Sequence, residues 1–375
     1  MALLRTIGTM SGTSMDGVDV ALVETDGQSE IRLGAAGFFP YSDEDRVTLR
    51  AALAEGASLT DRHVRPGAVG DAERVVTARH FEAVSGFLSR HGIDRAGIDL
   101  VGFHGQTVLH RPAERLTVQI GDGPALARAL GVPVAFDFRA ADVAAGGQGA
   151  PLVPVFHQAL VHASSLEPPV VLLNVGGVAN LTWVDEDRDP VACDTGPGNA
   201  LLDDLMLART GAPIDRHGLN AAKGRANQGI LQGLLAHPFF SAAPPKSLDR
   251  NTFASQAGNA LPAQAVDGLA LEDAAATLTA FTAAAAAGAL DLLPRAPRHL
   301  VVCGGGARNP ILLRELVART ACRVSVADDW GWSADAMEAQ AFGYLAARRF
   351  HDLPLTFPGT TGVDRPMTGG QMATP

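Results

Sequence analysis

The chain has 375 residues with 47% hydrophobic and 19% charged content, the composition of a folded protein with room for two cores. Its formal net charge of −10 offers no global attraction to nucleic acid, and no basic stripe interleaved with aromatics runs along it, so an anionic ligand must be held by local geometry. The three cysteines, Cys193, Cys303 and Cys322, form no CxxC pair and lie in or near apolar runs, which argues against a disulfide framework or a zinc site and for reduced thiols in the cytoplasm.

Strand-like runs at Leu3–Thr9, Val18–Glu24 and Ile31–Phe39 open the chain as a β-meander. Arg5, Asp16 and Asp19 interrupt the first apolar stretch, so no export signal is expected there. Helical patterns follow at Ser42–Glu55 and Asp71–His91, then a strand at Leu100–His104, the polar loop GQTVLHRP, and a return at Thr117–Ile120. Helix Gly123–Gly131 leads into strand Val132–Phe136, and the glycine-rich, proline-punctuated Arg139–Pro154 reads as a loop between domains. After helix Val155–His162 come a second strand–turn–strand at Val170–Val184, the loop ACDTGPGNALLDDLM, and a helix near Asn199–Thr210 with Pro197 just ahead of it. The alanine-rich Ala274–Ala289 comes nearest to a membrane span, but Thr277, Thr279 and Thr282 interrupt it and Asp291 follows, so a packing helix is expected and no membrane partner. Strand Leu300–Cys303 runs into GGGARNP and a helix from Pro310 to Thr320. A last helix, Asp335–Arg349, returns toward the first domain, and the tail from Asp352, with Pro354, Pro358 and Pro366, reads as extended or loose. The alternation gives an α/β class with two domains: residues 1–138, completed by 335–375, and residues 139–334.

Two stretches share one design, an apolar strand, a glycine-rich turn and a second apolar strand: Leu3–Val23 and Val170–Val184. Glycine turns bring backbone N–H groups together with no Cβ in the way, which suits phosphate oxygens. One such hairpin in each half predicts a nucleotide cleft between two similar domains, as in kinases and ATPases of the actin, hexokinase and Hsp70 class. GTMSGTSMDGVD lacks the GK[ST] ending of a Walker loop. It supplies Gly12 and Gly17, the hydroxyls of Ser11, Thr13 and Ser14, and two carboxylates, Asp16 and Asp19, either of which suits Mg²⁺ through water. A plain β-turn of small polar residues has the same composition. NVGGVAN, with Asn174, Gly176 and Gly177, is equally compatible with an ordinary hairpin turn. Gly304, Gly305 and Gly306 follow a strand and precede a helix, the crevice where α/β sheets bind ligands, although a flexible loop would look alike. Asp194, in CDTGPGN, falls at a strand end before a helix start, where it serves either as a general base or as a helix cap. His104, Gln106, His110 and Arg111, and then Asp137, Arg139 and Asp142, put polar groups beyond strand ends, a setting that suits sugar hydroxyls and a carboxylate. Glu338 stands on an otherwise apolar helical pattern, either on its polar face or aimed at a site.

Taken together, GTMSGTSMDGVDVAL, GFHGQTVLHRP, FDFRAADVAAGGQGAPLVP, LNVGGVANLTW, DTGPGNALLDD, VCGGGARNP, DAMEAQAFGYLA and PGTTGVDRPMTGG closely resemble the anhydro-N-acetylmuramic acid kinases over almost the whole chain. The resemblance implies the two-domain actin/hexokinase/Hsp70-like, ribonuclease H-like fold, with ATP and Mg²⁺ as cofactors. It implies a cytoplasmic homodimer that converts 1,6-anhydro-N-acetylmuramic acid, ATP and water into N-acetylmuramic acid 6-phosphate and ADP in peptidoglycan recycling. By motif, Asp194 would be the base, and Gly12, Thr13, Ser14, Met15, Asp16, Gly17, Val18 and Asp19 would bind ATP phosphates, with Asp16 and Asp19 near the metal. Asn174, Gly176 and Gly177 with Gly304–Gly306 would approach the nucleotide, and His104, Gln106, Arg139 and Glu338 the sugar. PPKSLDRNTF departs from the family's PPKSTGRE-like stretch at Leu248 and Asp249, which leaves the parts played by Lys246 and Arg250 open. The rival readings are a kinase of an ordinary hexose on the same fold and an ATP-driven binding protein of the actin or Hsp70 kind.

Overall fold

The computed structural model describes residues 1–12, 14–248 and 262–375. They form two compact units, Met1–Ala163 with Asp335–Pro375, and Ser164–Ala334. Thr13, Asp249 and Arg250 lie outside the described residues.

The first unit is built on a six-stranded sheet. Its meander is β1 (Leu4–Met10), β2 (Gly17–Thr25) and β3 (Ile31–Pro40). On the other side of β1 lies β4 (Leu100–Phe103), in parallel register from Thr6 with Leu100 to Thr9 with Phe103. A separate ribbon pairs β5 (Gln106–Arg111) with β6 (Leu116–Ile120). β7 (Val134–Phe136) extends the main sheet beyond β4. Ile7, Val20, Leu49, Val76, Phe87 and Val101 fill the core under helices Asp43–Gly56 and Gly67–His91. The helix Met337–Phe350 lies against the sheet so closely that a Cβ on Gly8 would stand 1.8 Å from the Ala339 carbonyl oxygen, and one on Gly102 2.1 Å from that of Phe342. Only glycine permits that approach of helix to strand.

The second unit repeats the plan with five strands. β8 (Val170–Val175), β9 (Val178–Val184) and β10 (Val191–Pro197) form the meander, and β11 (His299–Cys303) and β12 (Arg323–Val326) continue in parallel beyond β8. Trp183, 0% exposed, anchors its core and donates from Nε1 to the Arg295 carbonyl at 3.0 Å. The helix Leu271–Leu290 is long and apolar enough to cross a membrane by composition, but it is largely buried inside this unit, as Ala275, Phe281 and Ala286 illustrate.

Four expectations from the sequence differ from this fold. Residues 139–163 belong to the first unit, which moves the boundary from 138/139 to 163/164. Arg139–Pro154 is no plain interdomain loop: it opens with the helix Ala140–Ala144, and buried Asp142 accepts from Thr361 Oγ1 and Gly149 N, both at 2.6 Å. The tail is not loose, because β13 (Gln371–Ala373) pairs antiparallel with β7 and Arg349 Nε donates to the Gly370 carbonyl at 3.0 Å. The fourth difference concerns Asp194. It lies within β10 opposite Asn180, beside a bulge between Asp194 and Gly196, and Asn199 holds the cap position of helix Ala200–Thr210.

Candidate active site

The first turn joins β1 to β2 through Ser11–Asp16. Its shape is set from outside the hairpin. Gln106, 1% exposed, accepts from Ser11 Oγ at 2.7 Å and donates from Nε2 to the Gly12 carbonyl at 3.1 Å. Ser11 Oγ also meets the Tyr41 hydroxyl at 3.0 Å. Met15 has a left-handed φ of 52° and its N–H donates to the Gly12 carbonyl, while exposed Asp16 takes a 2.7 Å bond from Ser14 Oγ. Gly17 is required by packing, since a Cβ would meet the Phe39 carbonyl oxygen at 2.4 Å, and Val18 is core. Gly12 is different: the first atom that a Cβ would meet is Ser14 Oγ at 3.7 Å. Its bareness leaves backbone open to an incoming group.

Asp19, half-buried on β2, has its carboxyl pushed up to about 6 by burial, with the carboxylates of Asp16, Glu338 and Asp335 adding to the effect. Among the described residues no three acidic, histidine or cysteine side chains converge into a complete metal site, so a hard divalent cation here would be held by one or two carboxylates and water, and would relieve the repulsion. Glu338, in the first turn of Met337–Phe350, is exposed to solvent yet closely surrounded by protein, and that loss of solvation raises its carboxyl above the usual range against the pull of Arg139.

Arg139 is fixed by two bonds, from Nη1 to the Gly149 carbonyl at 2.9 Å and from Nη2 to His104 Nε2 at 3.1 Å. His104 donates from Nδ1 to the Gly105 carbonyl at 2.8 Å, and burial together with the Arg139 charge pushes its pKa down to about 3. The imidazole is therefore neutral and accepts the guanidinium proton. His104 and Gln106 thus spend their polar atoms on orienting Arg139 and the turn. A cavity of about 290 Å³ adjoins His104 and contains the Arg62–Asp137 ion pair of 2.5 Å.

In the second unit the β8–β9 turn is tied to the helix Ala200–Thr210. Gly198 and Ala200 N–H donate to the Gly177 carbonyl at 2.9 and 3.3 Å, and Asn199 N–H to that of Gly176 at 2.7 Å. The glycine run after β11 packs on the same turn. Gly304 has φ 73°, and a Cβ on it would stand 2.4 Å from Asn174 Oδ1, while Gly306 would strike Val175. A cavity of about 310 Å³, lined by Asn199, Asp203, Arg216, Gly305, Arg308 and Asn309, opens beside the run.

Asp194 is held by a segment that the sequence left open. Its N–H donates to the Lys246 carbonyl at 2.9 Å, and its Oδ2 accepts from Leu248 N–H at 2.6 Å. Burial pushes the carboxyl up to about 6 against that single bond. The contributions of Tyr41, Asn199 and Leu248 escaped the sequence reading: no motif marked the first two as supports, and Leu248 acts through its backbone, which side-chain identity does not report.

Two sheets of one strand order, each led by a glycine hairpin, define a protein of the actin, hexokinase and Hsp70 fold class. The sequence model of the family described as anhydro-N-acetylmuramic acid kinase matches residues 4–374. The chain is 57% identical over 374 residues to the anhydro-N-acetylmuramic acid kinase of Nitrobacter winogradskyi, covering 100% of both. It is 57% identical over 373 residues to that of Rhodopseudomonas palustris, covering 99% of this chain and 100% of the relative. Among solved structures it is similar to a ROK family glucokinase from Streptomyces griseus in complex with glucose and AMPPNP, at 13% identity and TM-score 0.42 over 92% of this chain and 99% of that one. It is also similar to an activator of 2-hydroxyisocaproyl-CoA dehydratase from Clostridium difficile with bound ADPNP, at 11% identity and TM-score 0.44 over 92% and 94%. The sequence relatives decide the matter: the chain belongs to the anhydro-N-acetylmuramic acid kinase family, and it is a kinase.

Proposed function

We propose that this kinase uses ATP and water to open 1,6-anhydro-N-acetylmuramic acid and phosphorylate its O6, yielding N-acetylmuramic acid 6-phosphate and ADP for peptidoglycan recycling. The observation that carries the reading is Asp194, a half-buried carboxylate with a pKa near 6, basic enough to take a proton from water and still ionised at neutral pH. In the anhydro sugar C1 and O6 share one acetal bond, so O6 has no proton to lose. Asp194 deprotonates a water that attacks C1, the C1–O6 bond breaks, and O6 attacks the γ-phosphorus as its bond to ADP breaks. The water proton rests on Asp194, so atoms and charge balance.

Arg139, aimed by His104 and Gly149, and Glu338 face the sugar, while Gln106 acts through the first turn, which it holds at Gly12. The turn from Gly12 to Asp19 receives the ATP phosphates. Asn174, Gly176 and Gly177 complete the nucleotide contacts, with the adenosine end beside Gly305. Asp16 and Asp19 would hold Mg²⁺, which supplies neutralisation of phosphate charge when bound. We place the enzyme in the cytoplasm as a homodimer, with sugar and nucleotide rather than nucleic acid or membrane as its partners.

The test is ADP release by the purified protein with Mg-ATP, comparing 1,6-anhydro-N-acetylmuramic acid, N-acetylmuramic acid, glucose and no sugar. Turnover with the anhydro sugar alone is expected. Preference for an open hexose would replace this reading with an ordinary hexose kinase, and sugar-independent ADP release with an ATP-driven binding protein.

A further inference from the structure

The strongest unassigned feature is the segment 239–248, which touches Asp194 only through its backbone. Its anchor runs back into the core. Phe240 packs edge-on against Phe281 of the buried helix Leu271–Leu290, with ring centroids 5.5 Å apart, and Phe239 packs on Phe240 at the same distance. Lys246 folds back over this pair. Its Nζ donates to the Phe239 carbonyl at 2.9 Å, approaches that of Phe240 at 3.5 Å, and lies 4.7 Å from the centroid of the Phe239 ring. An ammonium held by carbonyls and an aromatic face is a strong local tether. Beyond it, the Lys246 carbonyl and the Leu248 N–H grip Asp194 from two sides, at 2.9 and 2.6 Å.

We infer that Lys246 is a positioning residue for the reaction: by tethering the segment it places the Leu248 N–H on Asp194 Oδ2, which fixes the carboxylate and leaves Oδ1 to receive the proton of water. The inference rests on the reading of Asp194 as the base. The geometry separates two duties of a general base. Burial makes the carboxylate basic, and one charge-assisted hydrogen bond to the far oxygen keeps it oriented and ionised. Without that bond the carboxylate turns freely and its pKa rises further, because the bond favours the charged form.

The test uses Lys246→Met, which keeps the stem and removes the donor, alongside Leu248→Pro, which removes the N–H. Turnover is followed from pH 5 to 9 with the anhydro sugar and Mg-ATP. Expected are a 10- to 100-fold lower kcat for Lys246→Met, an unchanged KM for ATP, and an acid limb displaced upward by about one pH unit, one pH unit being about 1.4 kcal/mol. Leu248→Pro should act in the same direction. A folded Lys246→Met enzyme with the parent's kcat and acid limb would overturn the inference. So would a lower kcat with the limb in place, since that is what a merely structural residue produces. Asp194→Asn, run in parallel, separates the two levels. If it is inactive while Lys246→Met is normal, the positioning role alone falls; if it turns over normally, the base assignment falls and the positioning role with it.

Discussion

Asp194 is basic because it is poorly solvated, and the same desolvation works against the fold. Its carboxyl rises from an ordinary 3.8 to about 6. The folded state therefore binds the proton more tightly than the unfolded chain, so the group costs nothing below pH 4 and its full penalty above pH 6, about 2–3 kcal/mol. Asp194→Asn should thus raise the unfolding midpoint at pH 7.5, with the gain shrinking as pH falls toward 4, while turnover drops about 10²- to 10⁴-fold. Thermal or urea unfolding checks the first effect and ADP release the second. For the parent enzyme, kcat should fall on the acid side of about pH 6, as the base becomes protonated. His104 adds no limb there, because it stays neutral down to about pH 3. Arg139→Lys keeps a charge but loses the planar fork that reaches Gly149 and His104 together, so the KM for sugar should rise about 10-fold with that for ATP unchanged. An unchanged sugar KM would remove Arg139 from recognition. These residues were visible in the sequence as polar letters beyond strand ends. Their division into groups that face a ligand and groups that hold them was not, since it depends on which atoms are already bonded: Gln106 is engaged on both amide atoms and His104 on both ring nitrogens.

The elements carry the site through close approaches that only glycine allows. Gly8→Ala would drive a Cβ into the Ala339 carbonyl, so a loss of about 3 kcal/mol or more is expected, read as a lower unfolding midpoint or insoluble protein. Gly12→Ala meets no such obstacle, so it should fold normally and weaken ATP binding, measurable by calorimetry. Equal ATP affinity would show that phosphate does not approach that peptide. Both hairpins were legible as apolar runs on either side of a glycine turn, since strands buried on both faces read as continuous apolar stretches. The sequence ends the strand at Asp194, since Gly196 and Pro197 look like a turn, whereas β10 continues to Pro197: the bulge absorbs the irregularity and Thr195 Oγ1 bonds back to the Ala179 carbonyl at 3.2 Å. β13 was missed for another reason. Three residues give no periodicity, and Gln371–Ala373 becomes a strand only because β7 offers it an edge.

At the scale of the molecule, one sheet plan used twice gives each unit a glycine hairpin at the head of its meander, and the chain divides the roles between them. On the proposed reading the first unit carries the phosphate turn, the carboxylates of Asp16, Asp19, Asp335 and Glu338, and Arg139; the second carries the base and the Gly304–Gly306 run. The net charge of −10 means that ATP would have to be held by local donors rather than by the field of the whole protein. The two-unit plan could be read from paired hairpins, but the boundary at 163/164 could not, because residues 139–163 join the first unit through tertiary contacts such as the buried Asp142–Thr361 bond, across 219 positions of sequence, and the packing of Phe156 on Tyr344. The central claim is that one base couples ring opening to phosphorylation. Its most direct test is turnover of 1,6-anhydro-N-acetylmuramic acid with Mg-ATP in ¹⁸O-labelled water, followed by mass spectrometry of the product. One ¹⁸O is expected at C1 of N-acetylmuramic acid 6-phosphate and none in its phosphate. Unlabelled sugar, or label in the phosphate, would contradict it.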